Sequence, residues 1–500
     1  MTVTRWHGFL DRQIATRPDA LAVTDTTGAR WSFADLGRAV DALADELRQA
    51  GTRAGDRVLV LSENSAASIA ALFACSRIGA WALPVNARLT AGELDRILAH
   101  AEPAAALMTT AVSPDAQAHA DRMGAREITG PFGAMHLATP HPSNPAEEED
   151  VAVLLYTTGT TGTPKGVMLT HDNLCFAGPS SAMIRGLEAE DVIYGVLPVT
   201  HVFGLASVVT GGMCAGARIR LEPRFRVERL YQALHEGVTM LSAVPQMHAL
   251  LMAYTREQGF DRLEGGSLRY VSSGAAPLDP DWKRRAEAFY GVALQNGYGM
   301  TETTAAICVT RNEIGDPDIS VGPPLPGAEV RIDETVPGGG GGAGEVLTRG
   351  PHVMKGYFRN AEATAAALDG QGWLRTGDLG RFDDRGFLHI LGRSKELIIH
   401  GGFNVYPPEV EAALNEHPKV VQCAVVGHVV DGDEKVLAFV QASPENMPGE
   451  EELRAFARER LAGYKRPSRI VVATELPAAP TGKILKHKLV EAFRDRLQQG

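Results

Sequence analysis

Behind Ser32-Phe33-Ala34-Asp35, which resembles a capping box with Asp in the place of Glu, the apolar residues Leu36, Val40, Leu43 and Leu47 recur at the spacing of a helix face. The pattern then alternates. Arg57 to Leu61 reads as a strand, Ser65 to Ile78 as a helix, Ala82 to Val85 as a strand, Ala91 to His100 as a helix and Ala104 to Met108 as a strand. Repeated β-α-β of this kind predicts a largely parallel sheet covered by helices on both faces. After a polar, proline-rich connector at residues 140–150, a second β-α series runs from about Val192 to Cys308. Between 320 and 392 the strands shorten and turns multiply around the run Gly338–Gly342, which predicts a small β-barrel or antiparallel sheet with a flexible glycine tip. From about Ser394 a smaller α+β unit begins. The predicted class is α/β: a large N-terminal domain, residues 1–393, of two α/β sheet subdomains plus the small β-barrel, and a smaller α+β C-terminal domain, residues 394–500.

Composition narrows the setting. Five hundred residues are too many for one core, and 44% hydrophobic with 22% charged residues is ordinary for a globular protein. The net charge of −11 argues against nonspecific nucleic-acid binding and against anionic membrane surfaces. An anionic ligand must then be held by local cations and amides. The five cysteines are scattered, with no C-x-x-C and no zinc spacing, and the first residues lack a signal-peptide core, so a cytoplasmic location is expected. The most apolar stretch, Ala66 to Val85, is broken by Ser76 and Arg77 and reads as a buried helix plus a strand, not a membrane span.

Candidate chemistry concentrates in a few short segments. The apolar run Val151–Leu155 leads into Tyr156-Thr157-Thr158-Gly159-Thr160-Thr161-Gly162-Thr163-Pro164-Lys165-Gly166, where five threonines, three glycines and a lysine fall within eleven residues. Glycines let backbone N–H groups approach phosphate oxygens, hydroxyls donate to them, and Lys165 adds a point charge, so the loop suits polyphosphate. Its spacing is not that of a Walker loop. In Gln295-Asn296-Gly297-Tyr298-Gly299-Met300-Thr301-Glu302 an aromatic able to stack on a base sits between glycines; Thr301 can donate to a phosphate and Glu302 can hold Mg²⁺, a hard cation that takes few protein ligands. Asp378, in Gly372-Trp373-Leu374-Arg375-Thr376-Gly377-Asp378, can accept from both hydroxyls of a ribose. Arg393 has the chemistry for ribose or phosphate contact.

Taken in order, these segments resemble the acyl-adenylate-forming superfamily, which includes acyl-CoA synthetases, luciferases and peptide-synthetase adenylation domains. The match runs from about residue 20 to 490, with Thr158 where the usual form has Ser. The resemblance implies ATP, Mg²⁺ and coenzyme A as cofactors. It implies that Thr157, Thr158, Gly159, Thr160, Thr161 and Lys165 hold phosphate. It implies that Gly274, Ala275 and Ala276 line the adenine and acyl pocket, and that Asn296, Gly297, Tyr298 and Gly299 form the adenine site, with Tyr298 stacked on the base. Thr301 would touch the α-phosphate, Glu302 would bind the metal, and Asp378 and Arg393 would bind the ribose end. It further implies a mobile C-terminal domain with its hinge at Lys395, a pantetheine-bordering loop at Gly401 and Gly402, and an adenylation lysine, Lys483, in Pro477-Ala478-Ala479-Pro480-Thr481-Gly482-Lys483.

The segment Pro198-Val199-Thr200-His201-Val202-Phe203-Gly204-Leu205 carries no acid to hold a substrate ammonium, which matches acyl- and aryl-CoA synthetases, where the equivalent of His201 lies beside the carboxylate or gates the pocket. The expected pocket wall (Phe203, Ser207, Val208, Met247, Gly274, Ile307, Val309) is mostly apolar. A dicarboxylate would need a buried cation, and Pro245–Leu251 supplies no arginine. The resulting expectation is an ATP-dependent acid–CoA ligase for an aliphatic or aromatic monocarboxylic acid. An acyl-AMP ligase that loads a carrier protein, and a non-catalytic nucleotide-binding homologue, are the alternatives. No nucleic-acid partner is expected, and monomer and homodimer both stay open.

Overall fold

Ser32 caps the helix Phe33–Gln49 by accepting from the Asp35 N–H, while the Asp35 carboxylate accepts from the Ser32 N–H at 2.9 Å. This is the reciprocal cap that the sequence announces. The computed structural model describes residues 3–157, 165–274, 278–400, 403–430, 433–478 and 484–498. Of the expected site residues, Thr158, Gly159, Thr160, Thr161, Ala275, Ala276, Gly401, Gly402 and Lys483 lie outside the described residues.

The first β-α series forms an eight-stranded sheet whose centre is parallel: Arg57–Ser62 pairs with Trp81–Asn86 on one side and Ala105–Met108 on the other. Val151–Thr157 joins parallel to Trp81–Asn86, then turns back antiparallel as Lys165–Thr170, with the short strand Gly356–Tyr357 at the edge. The second series gives another eight-stranded sheet. Its parallel strands Leu294–Tyr298, Tyr270–Ser273, Met240–Ala243, Val192–Gly195 and Arg218–Leu221 lie in that spatial order.

One hydrophobic cluster takes in Val58 and Val60 from the first sheet, Ile193, Ile219 and Met240 from the second, and Leu36 to Leu47 and Ile69 to Cys75 from two helices between them. The helix Ala66–Ile78 is therefore apolar nearly all round, because it is covered on every side. Buried Asn64 bridges the sheets. Its Nδ2 donates to Gly195 O and Leu197 O, and its Oδ1 accepts from Val199 N, each at 2.9 Å. Ligands of open α/β sheets collect at the carboxyl ends of the strands, and Asn64 pins two such ends together.

The antiparallel sheet expected over 320–392 is present as Glu329–Asp333, Ala343–Arg349, Leu374–Phe382 and Leu388–Arg393, in that order. Beyond it, the hairpin Ile398–His400/Phe403–Val405 and the sheet Val420–Val430, Asp433–Ala442, Arg469–Ala473 build an α+β unit whose two apolar clusters draw only on residues from 398 onward. Among the described residues no helix is long and apolar enough to cross a membrane.

Candidate active site

Thr157 and Lys165 are register partners across the hairpin, so the threonine-glycine loop is held between two paired strands. The Lys165 ammonium lies 4.9 Å from the centroid of the Tyr357 ring, a cation–π distance. The Tyr357 hydroxyl donates to Glu302 Oε1 at 2.8 Å, and Met354 N donates to Glu302 O at 2.9 Å. Burial, and then the neighbouring Glu302 carboxylate, push the Tyr357 phenol up, so it remains a donor. Glu302 itself is buried in the turn Thr301–Thr303. Thus three segments far apart in sequence bring the loop lysine, an aromatic hydroxyl and one carboxylate together. Among the described residues no cluster of three His, Cys, Asp or Glu could hold a metal. A single hard carboxylate is nevertheless the donor that Mg²⁺ uses when phosphates complete its shell, so the residues present fit that ion.

The segments expected to receive the nucleoside are Leu294–Tyr298 and the hairpin that follows Leu374. A Cβ on Gly299 would stand 1.3 Å from Ala305 O, so only glycine allows that carbonyl to pass. Thr304 and Ala305 both hold positive φ, +50° and +87°, a strained path directly after Glu302. Asp378 and Arg393 are cross-strand partners. Their side chains approach to 3.4 Å, and Tyr298 donates to the other Asp378 oxygen at 2.6 Å. Burial and the Asp378 charge raise the Tyr298 phenol well above its ordinary range. The buried amide of Asn296 donates to Ser320 O and accepts from Gly297 N, so it secures the loop at 320. Gly297 lies against Cys308 O, which a Cβ would meet at 3.2 Å.

A small cavity adjoins this strained path. Thr304, Ala305 and Ala306 line one wall; Ala177, Arg185 and Ser207 belong to the other. Ser207 comes from the π-helix Phe203–Thr210, and Val309 also lines the cavity as expected. Phe203 sits beside Gly274, whose Cβ would fall 2.9 Å from its ring. Val208, Met247 and Ile307 do not line the cavity. Val208 faces the main core, Ile307 packs into a cluster with Val346 and Leu388, and Met247 packs beneath the second sheet. His201 is exposed, and its Nδ1 accepts from Phe203 N at 3.2 Å, so in its neutral form the proton is on Nε2.

Two site residues were not anticipated. Tyr357 carries no signal except a preceding glycine. Arg185 ends the helix His171–Arg185, where it reads as a routine C-terminal cation.

In the C-terminal unit Lys395 is exposed in the turn Ser394–Glu396. Lys486 bonds Glu396 and Glu411 at 2.9 Å each, which ties the chain just after Lys483 to that turn. Burial pushes the thiols of Cys75, Cys308 and Cys423 up, which makes them poor nucleophiles.

The chain matches the family model of the AMP-binding enzyme over residues 10–358 and that of the AMP-binding enzyme C-terminal domain over residues 409–483. It is 36% identical to the feruloyl-CoA synthase of an Amycolatopsis species over 496 residues, which span 96% of this chain and 98% of that one. The structure is similar to ATP-bound MatB from Rhodopseudomonas palustris, with a TM-score of 0.85 at 32% identity over 100% of both chains. It is also similar to O-succinylbenzoate coenzyme A synthetase (MenE) from Bacillus subtilis in complex with ATP and magnesium ion, with a TM-score of 0.81 at 30% identity over 96% of this chain and 98% of that one.

Proposed function

Because the chain belongs to the AMP-binding enzyme family and is an AMP-forming acyl-CoA synthetase, we propose that it uses ATP, Mg²⁺ and coenzyme A to convert an aromatic or aliphatic monocarboxylic acid into its thioester. The acid's carboxylate attacks the α-phosphate of ATP; a new P–O bond forms and pyrophosphate leaves. The thiol of coenzyme A then attacks the acyl carbonyl, and AMP leaves with the C–O electron pair. No protein nucleophile is required.

The obstacle to the first step is that two anions must meet. Lys165 and the threonines from Thr157 to Thr161 hold the outer phosphates, and Thr301 donates to the α-phosphate. Mg²⁺ held by Glu302 would add positive charge against the phosphate oxygens. Tyr298 and the backbone at Gly274–Ala276, Gly297 and Gly299 receive the base. Asp378 takes the ribose hydroxyls with Arg393 beside it, and His201 offers Nε2–H toward the carboxylate. Preorganised charge of this kind is usually the largest catalytic contribution. The C-terminal domain from residue 394 brings Lys483 to the reacting groups, then turns about Lys395 so that Gly401 and Gly402 border the incoming thiol. A cytoplasmic setting suits such a cycle.

The reading is carried by the contact chain Lys165–Tyr357–Glu302, which puts the cation of the phosphate loop next to a hard metal-binding carboxylate. The mostly apolar cavity beside it, with Phe176, Ala306 and Leu325 among its walls, supports an apolar acyl tail. The test is pyrophosphate release from ATP with a panel of carboxylic acids, with and without coenzyme A. Release in both cases, with a thioester only when coenzyme A is present, is the expected result; release without a thioester points to a carrier-protein acceptor, and no release with any acid removes the enzyme reading. Lys483→Ala should lower adenylation at least a hundredfold yet spare thioester formation from supplied acyl adenylate. Lys395→Pro should slow the second step more than the first. Equal losses in both steps would refute the respective role.

A further inference from the structure

Arg185 is the single charged residue among the described residues that line the acyl cavity; His352, the one histidine there, is held near pKa 4 by burial and is neutral. A guanidinium in such a place normally has a carboxylate beside it, because removing a charge from water is costly without a partner. Here no Asp or Glu among the described residues pairs with it. Its Nη1 donates to the Ser207 carbonyl at 2.8 Å, and its Cζ lies 5.8 Å from the Tyr270 ring centroid. Arg185 is part-buried, and desolvation lowers its pKa. A guanidinium carries five N–H donors in a rigid fork, and the Ser207 carbonyl takes one of them. The hydroxyls of Ser180, Ser181 and Ser207 line the same cavity, so the polar groups gather on the wall that carries Arg185. On the ligase reading the reacting carboxylate would lie toward the other wall, where Thr304–Ala306 come shortly after Glu302.

Resting on the acid–CoA ligase reading, we propose that Arg185 is a specificity-determining residue that binds a hydrogen-bond-accepting oxygen on the acyl tail, away from the carboxylate that is activated. The preferred acid is then one with an apolar body and a distal oxygen, either a phenolic oxygen or a second carboxylate. A purely hydrocarbon tail would offer no acceptor to the guanidinium donors that the Ser207 carbonyl and Tyr270 leave over. That penalty is what a site built to bond an oxygen imposes on an analogue that lacks it.

Two matched series of acids test this on the intact enzyme: cinnamate, 4-hydroxycinnamate and 4-carboxycinnamate; and octanoate, 8-hydroxyoctanoate and octanedioate. Each is assayed by pyrophosphate release with wild type, Arg185→Lys and Arg185→Met. In at least one series wild type should prefer an oxygen-bearing acid over its hydrocarbon parent by tenfold or more in kcat/KM. Arg185→Met should remove that preference, mainly through KM, while the parent acid changes by less than about threefold, and Arg185→Lys should keep part of the preference. The hydroxyl and carboxyl arms identify which oxygen is bound. Wild type without any preference would overturn the proposal. So would a loss in Arg185→Met that is equal for all acids, because that marks either a support for the π-helix through Ser207 or a contact to the reacting carboxylate. Lack of pyrophosphate release with every acid would sink the ligase reading instead, and so the two failures are distinct.

Discussion

Tyr357 joins the two groups proposed to hold phosphate and its metal ion, with its ring against Lys165 and its hydroxyl on Glu302. A hydrogen bond to a buried carboxylate contributes about 1.5–3 kcal/mol. Tyr357→Phe keeps the ring and removes that bond. It should therefore weaken kcat/KM for ATP at limiting Mg²⁺ by roughly ten- to a hundredfold, with the thermal midpoint nearly unchanged. A joint titration of ATP and Mg²⁺ reads this, and an unaltered Mg²⁺ dependence would show that the hydroxyl does not orient Glu302. At this scale the residues announced by motif, such as Tyr298, Glu302 and Asp378, were legible because rare residue types stood at fixed spacings. Tyr357 and Arg185 were not. Each acquires its meaning from a partner more than twenty residues away, and each is unremarkable among its own neighbours.

Among elements, the β-α alternation was legible nearly to the residue. The predicted helix at Ser65–Ile78 is observed as Ala66–Ile78 capped by Ser65, and the predicted strand Ala82–Val85 as Trp81–Asn86. Phe203–Thr210 is a π-helix, whose wider turn is not announced by its apolar residues because both faces of the segment are covered. How the two sheets meet was equally hidden, since one buried asparagine performs the join. Asn64→Ala would strand the Leu197 carbonyl and the Val199 N–H in the interior, while the Gly195 carbonyl keeps its bond from Glu222 N. It should cost about 2–4 kcal/mol and loosen the strand ends that carry the site. Chemical denaturation measures the first effect and KM for ATP the second; a change below about 1 kcal/mol would mean that water replaces the amide.

The molecule as a whole carries a pH dependence that no segment announces. His171, His248 and His352 are each buried, and burial is the main reason that each falls from the ordinary 6.5 to about 4. Between those values the unfolded chain binds protons that the native chain refuses. Stability is therefore complete above pH 6.5 and declines as the pH falls toward 4, by about 1.4 kcal/mol per pH unit for each histidine. Thermal unfolding at pH 7 and pH 5 should show a midpoint lower by several degrees at pH 5, and replacing His248 by Gln should flatten the trend. Equal midpoints would place these rings in contact with water. The order of phosphate loop, aromatic-carboxylate motif, ribose aspartate and terminal lysine was determined by the sequence alone, because such chemistry demands particular side chains at short, fixed spacings. The meeting of Lys165 with Glu302 through Tyr357, the pairing of Asp378 with Arg393 and the placement of Arg185 as the one charged residue among the described residues of the cavity wall were decided only by tertiary structure, because contacts between distant segments leave no periodicity in the chain that makes them.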